Sequence, residues 1–400
     1  MYYGPYREMK DPSEKYRQYI LDTCTRCGMC VRLCPGIEIA RLRAIPPAEI
    51  QSSLYDFLKE ARYNPIAAQR IDSCLECFQC VDSCPAGINP LSFIETAKEI
   101  SSRCGYTPYS ERVPDDFSSH LRSINQDLDE KQRGEILNIS GRKGSRYLFF
   151  PGCNVYNEAA RLLKIKFILK TISEDITFIP GIEYCCGDRY RFDGRLAEAH
   201  RQNKRLTDVI GQYKPDTVIL WCPTCLSRFA GDGNSNGGNG NVYVSENSSD
   251  SNSRTRYISF FQFCLEHIDS LNFSGCAAPR AVTLHEPCKT AYRKLDESHR
   301  DILRRMPGIE LREMDTEIMC CGSGGTAHYR DRTIGTMTLR RLEEARRTGA
   351  ESLITVCHYC QELFESVNPH RELEVLNLAD LMYDLLVKEP AQARGVTEEA

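Results

Sequence analysis

The 400-residue sequence contains no apolar run approaching the roughly 18 residues that a membrane-spanning helix needs. Its opening stretch, "MYYGPYREMKDPSEK", lacks the apolar segment of a secretory signal, so the chain is expected in the cytoplasm, with any membrane association made through a partner. Charge of one sign is missing too: 51 Lys and Arg stand against 55 Asp and Glu, a net charge of -4, which argues against nucleic acid or an anionic membrane as a ligand. No complete G-x-G-x-x-G fingerprint follows a strand-like run, so no flavin or nicotinamide site is expected and reducing power has to come from another protein. What the chain does have is 41% apolar residues, enough to build two or three domains without covalent staples.

It also has 21 cysteines, a number that in a reducing compartment points to metal or redox work rather than to disulfides. Subtracting their positions reveals two internal repeats. "CTRCGMCVRLCP" (Cys24, Cys27, Cys30, Cys34) recurs 50 residues later as "CLECFQCVDSCP" (Cys74, Cys77, Cys80, Cys84). Cys153, Cys185, Cys186, Cys222 and Cys225 recur 135 residues later as Cys288, Cys320, Cys321, Cys357 and Cys360. Five cysteines kept in register while the sequence between them diverges imply one constellation per copy. Cys104, Cys264 and Cys276 fall outside both patterns and read as ordinary small apolar residues or unremarkable thiols.

The N-terminal unit, residues 1–104, reads as mainly helical: "PPAEIQSSLYDFLKEARYN" and "NPLSFIETAKEISSR" both place Pro at a helix start ahead of apolar residues at helical spacing. Residues 105–145 are polar and read as a linker. Beyond them "RYLFFPGC", "DTVILWCPTC", "AVTLHEPC" and "SLITVCHYC" each run a strand into a cysteine before a helical stretch, predicting two α/β domains over 146–276 and 277–400. Residues 231–256 are a polar, low-complexity stretch expected to be a flexible insertion, and "LEVLNLADLMYDLL" reads as an amphipathic, core-packing helix.

Cys-x2-Cys-x2-Cys-x3-Cys-Pro is the bacterial ferredoxin pattern, in which the fourth cysteine of each motif crosses to the other cluster. Cys24, Cys27, Cys30 and Cys84 are thus expected to hold one cubane 4Fe-4S cluster, and Cys74, Cys77, Cys80 and Cys34 its neighbour; a pair of zinc sites is the alternative. Each larger set offers five thiolates where a zinc ion or a cubane needs four, which suggests a polynuclear iron site with bridging or doubled ligation, with zinc plus a spare cysteine as the alternative. Gly322, Gly324 and Gly325 in "CCGSGGTAHYR" either let backbone N–H groups approach a cluster or an anionic substrate, or simply form a turn. His285 and His358 are candidate proton donors or hydrogen-bond donors to the sulfurs, with a structural role as the alternative.

Cys-x31-Cys-Cys-Gly-x34-Cys-x2-Cys, present twice behind a ferredoxin-like unit, resembles the cysteine-rich "CCG" domains of the heterodisulfide reductase family, found in its B-type and D-type subunits. The order of units is similar to the D-type, a natural fusion of the C-type and B-type subunits. The resemblance covers about residues 20–385. It implies an α + α/β architecture, a helical two-cluster ferredoxin domain followed by two duplicated α/β CCG domains. It also implies one or two noncubane 4Fe-4S clusters held by the quintets, facing a common cleft where a small disulfide such as that of coenzymes M and B takes one electron from each side and leaves as two thiols. The expected electron donor is a flavoprotein or a membrane cytochrome subunit. The competing reading is a relay subunit without its own substrate, resembling the iron-sulfur subunit of anaerobic glycerol-3-phosphate dehydrogenase or of glycolate and lactate oxidising complexes; retention of both cysteines in "WCPTC" favours the reductase.

Overall fold

The computed structural model describes residues 12–106, 124–229, 255–273, 279–325, 334–370 and 372–387. The N-terminal part is helical for local reasons. Pro47 opens helix Pro47–Glu60, where a missing N–H is harmless, and Ile50, Leu54, Phe57 and Leu58 recur at helical spacing to form one buried stripe. Asn64 accepts hydrogen bonds from the Ile66 and Ala67 N–H groups to start helix Pro65–Asp72, and Asn89 accepts from Leu91 N–H to start Pro90–Arg103. Their inner faces close around Ile20, Leu54, Ile71 and Phe93, and the cysteine-bearing segments lie between them.

The remainder forms two four-stranded, all-parallel sheets of identical strand order, β2-β1-β3-β4 and β6-β5-β7-β8. The strands are β1 (Tyr147–Phe150), β2 (Ile176–Phe178), β3 (Thr217–Leu220) and β4 (Arg256–Ser259), then β5 (Arg280–His285), β6 (Ile309–Leu311), β7 (Ser352–Thr355) and β8 (Glu374–Asn377). β1, β3 and β7 are buried along their whole length, as expected for parallel strands covered by helices on both faces. β7 repeats β3 at the 135-residue offset that separates the quintets, so the duplication inferred from cysteines is a duplication of fold. Phe149, Ile219, Trp221 and Ile258 of the first sheet share one continuous core with Val282, Leu284, Ile354 and Val356 of the second, which fixes the two domains against each other.

Two expectations are corrected. The polar segment 105–145 is not linker throughout: Ile124, Leu128 and Ile136 are buried in the shared core, and helix Glu130–Leu137 starts with a capping box between Asp129 and Gln132. It reads as polar because only one residue per turn points inward. The C-terminal stretch is not all helix, since Glu374–Asn377 pairs with β7 and the Asn377 side chain then accepts from Ala379 N–H to begin helix Leu378–Val387. That helix packs in the core through Leu378, Met382 and Leu385, as expected. Residues 107–123, the insertion as far as residue 254, and Cys276 lie outside the described residues; Arg256 opens β4. Among the described residues no helix is long and apolar enough to cross a membrane.

One buried group ties stability to pH. His299 Nε2 lies 3.1 Å from Asp296 and its Nδ1 3.4 Å from Glu286. Burial opposes charge on the imidazole, but Asp296 and Glu286 outweigh it and push the pKa from 6.5 up to about 9. The folded protein therefore holds a proton that the unfolded chain releases, a contribution on the order of 3 kcal/mol. It is complete below pH 6.5 and lost as the pH rises through about 9. The urea midpoint is expected to fall across that window and His299→Gln to flatten the fall; equal slopes in both proteins would contradict the assignment.

Candidate metal centres

Both quintets gather where the strands of their sheet end. Cys153 follows β1, Cys222 and Cys225 follow β3, and Cys288, Cys357 and Cys360 follow β5 and β7 in the same way. β1 and β3, like β5 and β7, are adjacent central strands from which the chain departs in opposite directions, the place where open parallel sheets leave a crevice. The adjacent pairs arrive on the loops after β2 and β6. The thiols then form the same chain of contacts twice, Cys153–Cys185–Cys186–Cys225–Cys222 and Cys288–Cys320–Cys321–Cys360–Cys357. In the second, Cys288 and Cys320 Sγ are 3.7 Å apart and Cys321 and Cys360 Sγ 3.2 Å. Each adjacent pair sits mid-chain, one thiol reaching to either side.

In the N-terminal unit Cys24, Cys27, Cys30 and Cys84 line one pocket, while Cys34 stands with Cys74, Cys77 and Cys80. The fourth cysteine of each motif thus crosses to the other group. Gln51, which nothing in the cysteine spacing signals, accepts from Cys30 Sγ at 3.3 Å and donates to Cys24 Sγ at 3.8 Å. Burial pushes Cys30 and Cys74 up to about 11, and hydrogen bonding to Cys153 together with burial pushes Cys185 up as well. Such thiols bind a metal by exchanging their protons for it.

Whether these groups suit iron and sulfide is tested by Arg70. Its side chain is 2% exposed, its Nε and Nη1 have no hydrogen-bond partner among the described residues, and the groups acting on it include Cys34, Cys74, Cys80 and Cys30. A guanidinium buried without a carboxylate calls for anionic sulfur around it, which metal-bound thiolates supply. The donor set fits two iron–sulfur sites flanking this cation.

A second buried network joins the three units. Glu76 Oε1 accepts from Lys98 Nζ at 2.8 Å, with neither side chain exposed. Asp188, directly after Cys-Cys-Gly, accepts from Lys289 Nζ at 2.7 Å and from Arg228, and Arg228 Nη2 lies 2.9 Å from Glu95. Burial alone would raise Asp188, but Arg228 and Lys289 hold its carboxyl well below the usual range. Charged residues placed inside or beside cysteine motifs, such as Glu76, Asp188 and Lys289, were a signal for this network that cysteine spacing alone passes over.

The glycines of the second Cys-Cys-Gly loop have a specific neighbour. A Cβ on Gly324 would stand 2.0 Å from the Leu75 carbonyl oxygen, and one on Gly325, at φ +64°, 2.1 Å from that of Cys74. Their close approach is to the backbone of the N-terminal motif, a docking contact between units, and φ of +101° at Gly322 and +64° at Gly325 agrees with the turn drawn from sequence. Gly324→Ala is expected to lower the thermal midpoint and loosen the N-terminal unit, seen as faster proteolysis. Gly335→Ala, with nothing within 4 Å, serves as the control and should leave both unchanged.

His285, 1% exposed, ends β5 and forms a compact group with Cys321 and Cys360, and burial presses its pKa down. His358 is buried at the start of the helix that carries Cys360. Cys264 is buried in the shared core and Cys104 is exposed at a helix end, both apart from the cysteine groups.

Residues 20–88 match the 4Fe-4S dicluster domain, and residues 147–230 and 282–365 each match the cysteine-rich domain. Over 375 residues the chain is 24% identical to the B-type subunit of the fumarate reductase (CoM/CoB) of Methanothermobacter marburgensis, covering 90% of this chain and 72% of the relative. It is 22% identical over 382 residues to the D-type subunit of the dihydromethanophenazine:CoB–CoM heterodisulfide reductase of Methanosarcina mazei, covering 85% and 87% of the two chains. The chain is 20% identical over 435 residues to EtfAB:quinone oxidoreductase of Syntrophomonas wolfei, spanning 91% of this chain but 58% of that protein.

Proposed function

Because the chain belongs to the iron–sulfur electron-transfer proteins that join a 4Fe-4S dicluster domain to two cysteine-rich domains, we propose that it reduces a small disulfide with electrons passed on by a partner. In this reading Cys24, Cys27, Cys30 and Cys84 hold one cubane 4Fe-4S cluster, Cys34, Cys74, Cys77 and Cys80 hold a second, and each quintet holds a noncubane 4Fe-4S cluster. When bound, these groups supply one-electron transfer and, at the quintets, iron with an affinity for sulfur.

The chain's own residues set the order of the relay. Cys27 is exposed, and Met29 and Leu33 beside it are 41% and 44% exposed, which suits docking of an electron donor, a flavoprotein or membrane cytochrome subunit. Cys74 and Cys77 are buried, and the Cys77 thiol meets the Cys320 thiol of the second quintet. That contact carries the proposal, because it gives electrons a path from the dicluster unit straight into a CCG site. Beyond it, a narrow crevice is lined by Trp221 and Cys222 of the first domain and by Pro287 and Val356 of the second, at the carboxyl ends of both sheets. Cys222 of the first quintet lines it, and Pro287 and Val356 directly precede Cys288 and Cys357 of the second, so a disulfide entering here would approach both quintets. Its cleavage takes two electrons and two protons and yields two thiols, and two one-electron centres avoid leaving an unpaired sulfur.

The second reading, a relay protein with no disulfide of its own, draws on the similarity to a quinone oxidoreductase. Anaerobic purification with iron and sulfide analysis, followed by paramagnetic resonance with and without candidate thiols, separates the two. Four filled sites give about 16 irons per chain, and thiol-dependent spectra are expected. Full iron content with spectra unmoved by every thiol would transfer the case to the relay.

A further inference from the structure

The duplication offers an internal comparison. Asn203 Nδ2 donates to the Cys186 carbonyl and Thr338 Oγ1 to the Cys321 carbonyl, so residues related by the 135-residue offset hold the same backbone carbonyl in both sites. At that offset His285 corresponds to Phe150 and Arg341 to Leu206. The first site is apolar where the second carries a polar pair, since Phe150 and Leu206 pack with Cys186 in a hydrophobic cluster.

In the second site a His285 ring nitrogen, Cys321 Sγ and Cys360 Sγ lie within 4.8 Å of one another. Arg341 Nε–H donates to His285 Nδ1 at 3.3 Å. Arg341 is itself fixed, donating to the Thr316 carbonyl at 2.5 Å, to Glu344 at 2.8 Å and to the Glu317 carbonyl at 3.3 Å. The imidazole also stands edge-on to Phe364, ring centroids 4.9 Å apart. With Nδ1 accepting, the proton of the neutral ring is on Nε2. Nε2 is buried and meets no hydrogen-bond partner among the described residues. The same tautomer rules against Nε2 as a metal ligand, because a ligating nitrogen has to give up its proton.

We propose that His285, oriented by Arg341, donates its Nε2–H to the metal-bound Cys321 thiolate and thereby makes the second CCG site easier to reduce than the first. A hydrogen bond to a ligating sulfur draws electron density away from the metal and favours the reduced state. Where Phe150 stands, the first site has no such donor. The Cys77–Cys320 contact places this more readily reduced site next to the dicluster unit, so the second quintet takes up the first electron. His285 and Arg341 act as positioning and tuning residues.

The inference rests on the proposed binding of iron by both quintets, and not on the identity or existence of a disulfide. Its test is a redox titration of the substrate-free full chain at one pH, followed by paramagnetic resonance, with iron content measured first. The wild type is expected to show two CCG signals reduced at separate potentials. His285→Phe should retain the iron and lower the more positive potential by a tenfold or greater change in the reduction constant, about 59 mV for a one-electron couple, bringing the two together. Arg341→Met, which frees the tautomer, should move the same signal in the same direction, and His285→Gln, which keeps a donor, should move it less. These milder variants decide the matter if His285→Phe does not fold. Iron retained with both potentials unmoved, or a directly iron-bound nitrogen seen by pulsed resonance on histidine-labelled protein, overturns the inference. Wild-type quintets without iron would instead remove the ligand reading beneath it.

Discussion

Cys320→Ser is expected to lose the iron of the second quintet, about 4 of some 16 atoms per chain, while the other three sites stay filled. Cys320 occupies a junction: its thiol contacts Cys288, Cys321 and Cys77, so it belongs to its own quintet and borders the dicluster unit. A serine hydroxyl has nearly the shape of the thiol but is a much poorer partner for iron, which makes metal retention rather than folding the quantity most affected. Two consequences separate this from general damage. The spectrum of the dicluster unit should persist, because Cys24, Cys27, Cys30 and Cys84 line a pocket of their own and the remaining quartet keeps all four thiols. Electrons delivered to that unit should then stall, since the next acceptor is gone. Cys264→Ser is the control: that thiol is fully buried in the core and lies in neither quintet, so the variant should lose stability, by about 1–3 kcal/mol for a buried hydroxyl, and keep its iron. Cys320→Ser protein with undiminished iron and sulfide would show that the quintet is not a ligand set.

Lys98→Met should destabilise the protein by about 3–5 kcal/mol, the usual cost of removing one partner of a buried ion pair. Lys98 and Glu76 are both wholly buried, and the bond between them, 2.8 Å long, links helix Pro90–Arg103 to the second cysteine motif. Without Lys98 the carboxylate retains only longer contacts, 3.6 Å to Arg228 and 3.8 Å to Lys289. Burial already raises the Glu76 pKa, so losing its closest cation should drive it toward the neutral acid and keep the cost from rising further. Pairing Lys98→Met with Glu76→Gln should accordingly recover part of the loss. Salt should change the difference little, because solvent does not reach the pair. The measurement is the urea midpoint of the single and double variants at low and high ionic strength. A loss below about 1 kcal/mol, the range of solvent-exposed pairs, or one that salt abolishes, would mean that the pair is solvated and does not hold the helix to the motif.

The cysteine repeats, the alternation of strands and helices and the helix starts were legible in the sequence because each depends on spacing along the chain. Cysteines separated by two or three residues share a loop, alternating strand and helix patterns set the α/β class, and Asn-Pro or Pro-Pro followed by apolar residues at helical spacing marks a helix start, whereas Asn368-Pro369, which lacks that spacing, forms a turn. The crossing of Cys34 and Cys84 was legible as well, because the motif carries it. Helix Glu130–Leu137 was missed although Asp129 and Gln132 mark its start, since three buried isoleucines and leucines in a polar segment gain their meaning only from the core they enter.

What the sequence determined by itself is which thiols belong together and in how many groups. Tertiary structure alone decided how those groups face one another: Gly324 and Gly325 against the Cys74–Leu75 backbone, Cys77 against Cys320, and Glu76, Asp188, Arg228 and Lys289 drawn from three units into one buried network. The reason is physical. A thiol's chemistry and its local spacing travel with the chain, whereas a buried charge or a close backbone approach is favourable only once residues some hundred positions apart have already met.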